Sequence, residues 1–392
     1  MQKTRLRKAP FVVALLAALG VAIAALAGAF THSTAAAAPA TSDRSLVKCG
    51  KSVTLGVAFP ITGPAASIGG NQLDWAKFFR TRWNASHKLK INLVQGDTQL
   101  PNTAEALKVA QTLGSNPKLL GVVGPSGSQE VIATTPIFKA AGLGFVSSSA
   151  TKTTLTDGSR KGFFFRVVPT DAQQGPTIAN YATNKLKVKK VFVIDDQEAY
   201  STGLSDDATA AWKAKGVTVV RDSVSQSASD FSSLISKIGS DVDAVYIPWQ
   251  LSPKAQLFAQ QMREQGKKQI LLSSDGTFDP ATYKPPQAAY VSFFPVDTKN
   301  PLVTAFKRSH GGQAEFFGSP TYVAVQVVVN AVVKACANGT ASRAEVRKFI
   351  AKTNIKTTLL GFRTRFQSSG ALASPGNFGI FKATNGTYTR VG

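Results

Sequence analysis

Between residues 53 and 296 the chain alternates short aliphatic runs with longer helix-like stretches. The runs VTLGVAFP (53–60), KINLVQGD (90–97) and LLGVVG (119–124) precede predicted helices over 70–84, 101–114 and 128–140. After GLGFVSS the pattern restarts with FFFRVVP (163–169), a helix over 172–186, KKVFVIDD, a helix over 203–215, VTVVRDSV, and DAVYIPWQ followed by a helix over 252–265. Short strands rich in Val and Ile, separated by helices of about 10 to 15 residues, predict parallel sheets covered on both faces. The restart near 165 predicts two such sheets instead of one very wide one. KQILLSSDGTF (268–278) and AAYVSFFPV (288–296) read as the last strands of the second, and helices at 299–310 and 321–339 return to the first. The expected fold class is therefore α/β, with two doubly wound parallel-sheet lobes joined by a multi-strand hinge. Residues 51–168 plus 298–365 form one lobe, and 169–297 plus 366–392 the other.

Ligands of open parallel sheets sit beyond the carboxyl ends of the strands. In GVVGPSGSQEVIATTP (121–136) a Gly-Pro-Ser-Gly-Ser turn lies between a buried strand and a helix start. Outward backbone N–H groups and the positive helix end favour an anion there, with Ser126 and Ser128 adding hydroxyls around Gly127. LGFVSSSATKT (143–153) repeats the design with Ser147, Ser148, Ser149, Ala150 and Thr151. Either loop alone also reads as an ordinary turn, since Ser and Gly are common turn and N-cap residues. The matching strand ends of the second lobe, DDQEAY (195–200) and SSDG (273–276), offer an aromatic, Tyr200, and a carboxylate, Asp275. Hydroxyls and amides suit a carboxylate, Asp275 suits an ammonium, and Tyr200 suits a cation or an apolar stem. Together they describe a site for a zwitterion.

Composition narrows the class further. With 392 residues, 43% of them hydrophobic and 17% charged, the chain is globular and long enough for two domains. Its start, MQKTRLRKAPFVVALLAALGVAIAALAGAFTHSTAAAAPATS, has a basic head, an apolar run from Phe11 to Phe30, and small residues suited to cleavage. Residues 1–40 read as a secretion signal cut near position 40, and the protein is expected in the periplasm or at the cell surface. The run exceeds the usual h-region of about 7 to 15 residues, so it also has the length of an uncleaved anchor. A lipidated cysteine after LAGA is ruled out, because Phe30 stands there.

The formal charge is +23, of which +19 lies beyond position 40. Such a charge attracts nucleic acid, anionic lipid or wall polymer. The Lys and Arg are spread along the chain, and no RNA-binding motif accompanies them, so a solvated basic surface is expected and nucleic acid is not. Two cysteines, Cys49 and Cys336, are candidates for a disulfide in an oxidising compartment, with two unpaired thiols as the alternative.

The order of GVAFPITGPAASIGG, GVVGPSGSQEV, GLGFVSSSAT, RVVPTDAQQGPTIANY, AYSTGL, VYIPWQLSP and SSDG resembles the type I periplasmic solute-binding proteins. More narrowly, it is similar to the branched-chain amino-acid (Leu/Ile/Val-binding) branch that feeds ABC importers, from about residue 52 to the C-terminus. That resemblance implies a clamshell in which Ser128 and Thr151, with Ser126, Ser149 and Ala150 beside them, meet a ligand carboxylate and ammonium. Tyr200 would cover the ligand and Asp275 would take its ammonium. Gln250 and Phe317 complete the transferred set, although the spacing near them departs from the family's. Ile68 in AASIGG stands where the family often places an aromatic, which leaves the side-chain preference open. The implied partners are a small amino-acid or carboxylate ligand and a membrane ABC permease, with the chain acting as a monomer and without cofactors.

Other functions fit less well. GPSGS approaches a nucleophile elbow, but Ser128 occupies the position where the sharp turn requires Gly, and beyond position 40 only His87 and His310 are available as bases. Metal catalysis has no His, Cys and carboxylate cluster to rest on. A ligand-binding component of an extracytoplasmic sensor and a binder of aromatic acids or amides remain open, as does a basic wall or lipid binder whose attachment salt would weaken.

Overall fold

The computed structural model describes residues 46–294, 297–312 and 317–392; the N-terminal signal expected over 1–40 lies outside them. Thr41–Gly392 forms one compact unit. Among the described residues, sixteen strands and ten α-helices follow the predicted alternation closely. The first lobe is built from β1 (Val47–Lys48), β2 (Ser52–Phe59), α1 (Ala66–Ser86), β3 (Lys90–Asp97), α2 (Thr103–Ser115), β4 (Leu119–Val123), α3 (Ser128–Ala140), β5 (Phe145–Ser147) and β6 (Phe164–Arg166). The chain then enters the second lobe with α4 (Asp171–Asn184), β7 (Lys190–Asp195), α5 (Ala199–Lys213), β8 (Thr218–Ser223), α6 (Ser232–Ser236), β9 (Ala244–Ile247), α7 (Ser252–Glu264), β10 (Ile270–Ser273) and β11 (Ala289–Phe293). It returns through α8 (Pro301–Ser309), α9 (Gly318–Ala335), β12 (Thr340–Ala341), α10 (Arg343–Ala351), β13 (Asn354–Ile355) and β14 (Thr364–Arg365), and ends in β15 (Gly379–Thr384) and β16 (Thr387–Arg390).

The first sheet has the order β3-β2-β4-β5-β6 and is parallel throughout. Helices cover both faces, so strands such as β4 are buried along their whole length and carry aliphatic side chains at every position except Gly121. The apolar α9, long enough by composition to cross a membrane, is mostly buried here: its Val and Ala pack with α1 and the sheet in one continuous core. The second sheet, β16-β15-β11-β10-β9-β7-β8, departs from the all-parallel expectation. Its last two strands are an antiparallel hairpin joined at Asn385 and Gly386, whose φ values of 49° and 80° are those of a tight primed turn.

Three passages of chain, after β6, after β11 and before β15, connect the two sheets. Between them sits a small apolar cluster of Ile68, Val168, Phe293, Phe294, Phe317 and Phe378, contributed by both lobes and the connections. It forms the floor on which the lobes meet.

Cys49 and Cys336 are joined in a disulfide that ties the entry of β2 to the end of α9 across 287 residues of chain. A cross-link closing so long a loop constrains the unfolded ensemble strongly. Cys49→Ser is therefore expected to lower stability by about 2–4 kcal/mol, read as a lower midpoint in chemical denaturation, with the reduced parent matching the variant.

Candidate functional site

The carboxyl ends of both sheets face one narrow cleft between the lobes, lined by Ile68, Leu100, Ser126, Ser128, Ser149, Tyr200, Gln250, Asp275, Gly276 and Phe317. Seven of the ten residues expected from sequence line it: Ser126, Ser128, Ser149, Tyr200, Gln250, Asp275 and Phe317. Gly127, Ala150 and Thr151 stand behind that surface.

On the first wall, β4 is followed by Gly124, whose φ is 105° and where a Cβ would lie 2.2 Å from Ala58 O, so only glycine lets the loop leave the sheet here. Gly127 caps α3, and its N–H donates to Glu130 Oε2 at 2.7 Å. Glu130 is fully buried, and burial pushes its carboxyl up to about 7. Ser128 opens the helix; its Oγ accepts the Lys152 N–H at 3.3 Å and donates to no partner among the described residues. The two serine loops are clasped together. Ser147 Oγ donates to Pro125 O at 2.6 Å and Ser149 Oγ to Ser126 O at 2.8 Å.

The second loop corrects one expectation. The N–H groups of Ser149 and Ala150 point inward to Ser147 Oγ, at 3.4 and 3.1 Å, so the Ala150 amide is used within the turn and does not face the cavity. Thr151 is likewise held inside, its carbonyl accepting the Asp171 N–H at 3.0 Å.

A residue that no motif pointed to holds both loops. Gln72 on α1 accepts Ser126 Oγ at 2.5 Å and donates to Ser148 Oγ at 2.9 Å and Ser149 Oγ at 3.0 Å. Its signal was present: Gln72 is a polar position on the buried stripe of Ile68, Leu73, Trp75, Ala76 and Phe79. Buried amides are retained where they are hydrogen-bonded.

On the opposite wall, Tyr200 in the first turn of α5 is 2% exposed, and its hydroxyl lies 2.6 Å from Asp275 Oδ1 and 2.7 Å from Ser274 Oγ. Gln174 on α4 donates to the same Asp275 oxygen at 2.7 Å and to Ser292 Oγ at 3.0 Å. Burial raises the Asp275 carboxyl to about 6, opposed by these bonds from Tyr200 and Gln174. Gly276 follows without a side chain; a Cβ there would come within 2.5 Å of Trp249 O.

Beneath the cavity lies a buried charge cluster that sequence reading did not anticipate. The Arg166 guanidinium donates to the carbonyls of Ala150 (3.2 Å), Lys152 (2.8 Å) and Thr153 (3.2 Å) and to Thr156 Oγ1, fastening the second loop to β6. Burial lowers it to about 10, while the Asp171 charge favours its ionised form. Burial and the nearby Asp275 charge hold the Asp171 carboxyl well above the usual carboxylate range.

The lobes also touch directly above the cavity. Gln129 Nε2 on α3 donates to Gln250 Oε1 at 2.8 Å, Thr153 Oγ1 to Asp207 Oδ2 at 2.7 Å, and Ala65, Leu100 and Leu251 pack together. This is a closed arrangement. His87 and His310 do not line the cleft and are stacked on Trp83 and Phe306.

A cavity shared by the strand ends of two α/β lobes agrees with what sequence comparison finds. The model of the family described as periplasmic binding protein matches residues 52–386. The chain belongs to the periplasmic binding protein family. Leu/Ile/Val-binding protein homolog 3 of Brucella melitensis is 28% identical over 348 residues, 85% of this chain and 92% of that protein. A Pseudomonas aeruginosa amino acid binding protein is 34% identical over 229 residues, and the chain spans only 60% of that relative's length. Among solved structures, the leucine binding protein LivK of Thermotoga maritima shares the fold with a TM-score of 0.79 at 24% identity, covering 87% of this chain and 98% of that one. LivJ of Streptococcus pneumoniae, solved with isoleucine, has a TM-score of 0.75 at 24% identity, covering 87% and 99%.

Proposed function

We propose that this chain is the solute-binding component of an ABC importer and captures an α-amino acid with an apolar side chain. The observation that carries the reading is the pairing of two opposed chemistries across one cavity. Serine hydroxyls at the start of α3 face a buried carboxylate, Asp275, backed by Tyr200 and Gln174. A ligand carboxylate fits the first wall, where the helix end is positive and the Ser128 proton is available. A ligand ammonium fits the second. Ile68, Leu100 and Phe317 leave only apolar contact for the side chain, and relatives named as amino acid and Leu/Ile/Val-binding proteins support the same ligand class.

Capture works through closure. The ligand docks on the serine loops, and the second lobe rotates about the three connections to bring Tyr200 and Asp275 over it. Closure is stabilised only to the extent that the ligand contacts both lobes, and the Gln129–Gln250 and Thr153–Asp207 bonds add to it. The protein acts after export, as a monomer, with residues 1–40 removed, and hands its cargo to a membrane permease. The test is a thermal-shift screen of the 41–392 chain, refolded from denaturant to strip bound solute. An apolar amino acid at about 100 times its Kd is expected to add roughly 2.7 kcal/mol of stability. A response confined to carboxylic acids without an ammonium group would overturn the amino-acid assignment.

A further inference from the structure

An α-helix leaves its first N–H groups without intrahelical acceptors, and the side chain of the N-cap residue commonly supplies one. At the start of α4 the N-cap is Thr170, whose side chain makes no capping bond. The acceptors come instead from the other lobe. The Asp171 N–H donates to the carbonyl of Thr151 at 3.0 Å, and the Ala172 N–H to Thr153 Oγ1 at 2.8 Å. The Thr153 hydroxyl in turn donates to Asp207 Oδ2 on α5 at 2.7 Å. One half-buried hydroxyl of the first lobe thus joins two helices of the second, as donor to one and acceptor from the other.

Both sides of this bridge are held firmly. Thr153 opens a short 3-10 turn, Thr153–Thr156, whose Leu155 is buried in the first lobe's core, and Arg166 holds the carbonyls of Lys152 and Thr153. Opposite, α5 comes close through Gly203, where a Cβ would lie 2.5 Å from Lys152 Nζ and 3.2 Å from its Cγ. Gly175 packs α4 against α5 so tightly that a Cβ there would lie 2.6 Å from Ala208 N, which fixes the two helices to each other.

Neither Thr153 nor Asp207 lines the cleft. The loop carrying Thr153 nevertheless supports the first wall, since the Lys152 N–H donates to Ser128 Oγ at 3.3 Å and Ser149 lines the cleft. Helix α4 supports the second, where Gln174 donates to Asp275 Oδ1 at 2.7 Å.

We propose that Thr153 is a positioning residue whose bridge to Asp207 and to the start of α4 holds the lobes closed and sets how long a solute is retained, without touching the solute. This role rests on capture by closure as proposed above. When the lobes part, water takes over the freed groups, so the bridge favours the closed state alone. A hydrogen bond to a carboxylate shifts an equilibrium by roughly tenfold to a hundredfold, and here that factor falls on opening and hence on dissociation.

The test uses the 41–392 chain, a compact unit without the leader, refolded from denaturant, with labelled leucine as the probe and rapid filtration to read association and dissociation. Thr153→Ala and Asp207→Ala are each expected to release leucine about tenfold faster with association little changed. The double variant should be no faster than the faster single one, because both remove the same bridge. Thr153→Ser should behave like the parent, and the unliganded melting midpoint should be the same in all four variants as in the parent. Unchanged dissociation in Thr153→Ala would overturn the proposal, and so would losses that simply add in the double variant. A midpoint that falls while dissociation stays the same would make Thr153 a folding residue only. Small-angle X-ray scattering of the unliganded chains separates this role from the identity of the ligand. If leucine binds no form, the amino-acid assignment fails and scattering decides the bridge: a parent more compact than Thr153→Ala supports it, and identical profiles overturn it.

Discussion

Asp275→Ala is expected to weaken binding of an apolar α-amino acid by about 2–5 kcal/mol, roughly thirtyfold to several-thousandfold. In the proposed assignment the substitution removes the acidic partner of the ligand ammonium, and a charge left unpaired between the closed lobes is costly. A carboxylic acid of the same shape but without the ammonium should bind the variant about as well as the parent. Calorimetric titration of both ligands reads the difference, and equal losses for the two would sink the ammonium role. The same carboxyl sets a pH dependence. In the unliganded protein burial raises it to about 6, so below that pH it is increasingly protonated and cannot pair with an ammonium. Amino-acid affinity is therefore expected to be level above pH 6 and to fall by about tenfold per unit below it, and Asp275→Asn should flatten that profile. Stability of the unliganded protein runs the other way. A carboxyl whose folded value is raised binds its proton more tightly when folded, so its contribution is present at acid pH and is lost as pH rises through about 6.

Arg166→Ala is expected to have the largest effect on folding, about 3–5 kcal/mol. The guanidinium is fully buried, and its removal leaves the carbonyls of Ala150, Lys152 and Thr153 without their donor and Asp171 without its positive neighbour. Buried acceptors left unmatched cost about 1–3 kcal/mol each when water cannot reach them. Arg166→Lys keeps the charge but not the planar fork that reaches several acceptors at once, so it should recover only part of the loss. Chemical denaturation of the parent and both variants reads this. A lysine variant as stable as the parent would show that charge alone matters at this position. Ligand affinity should fall as well, since the loop that Arg166 fastens carries Ser149 into the cavity.

Much of the site was legible because its residues occupy strand ends. Ser126, Ser128, Tyr200 and Asp275 each follow an aliphatic run by a few positions, and a parallel sheet delivers all such positions to the same side. Other parts left weaker traces. The Asn385-Gly386 turn and the Ser342/Glu345 capping box are local signals for the terminal hairpin and α10, and both were present in the sequence. Gln72 and Gln174 were harder, because a glutamine within a helix reads as solvent-facing until its neighbours are known. Arg166 and Asp171 were hardest, since charged residues are rarely buried and nothing local announces that these two are.

What the sequence determined by itself was the alternation of strands and helices and their gathering into two sheets. These follow from hydrophobic periodicity and turn chemistry, which act over a few residues. Tertiary structure decided which polar groups remain for a ligand. Ser147 takes up the amides of Ser149 and Ala150, Gln72 draws in three serine hydroxyls, and Tyr200 and Gln174 meet at one oxygen of Asp275. Those choices depend on burial and on partners up to 101 residues apart in the chain. Desolvation and hydrogen-bond geometry act through space, and no local pattern of residues encodes them.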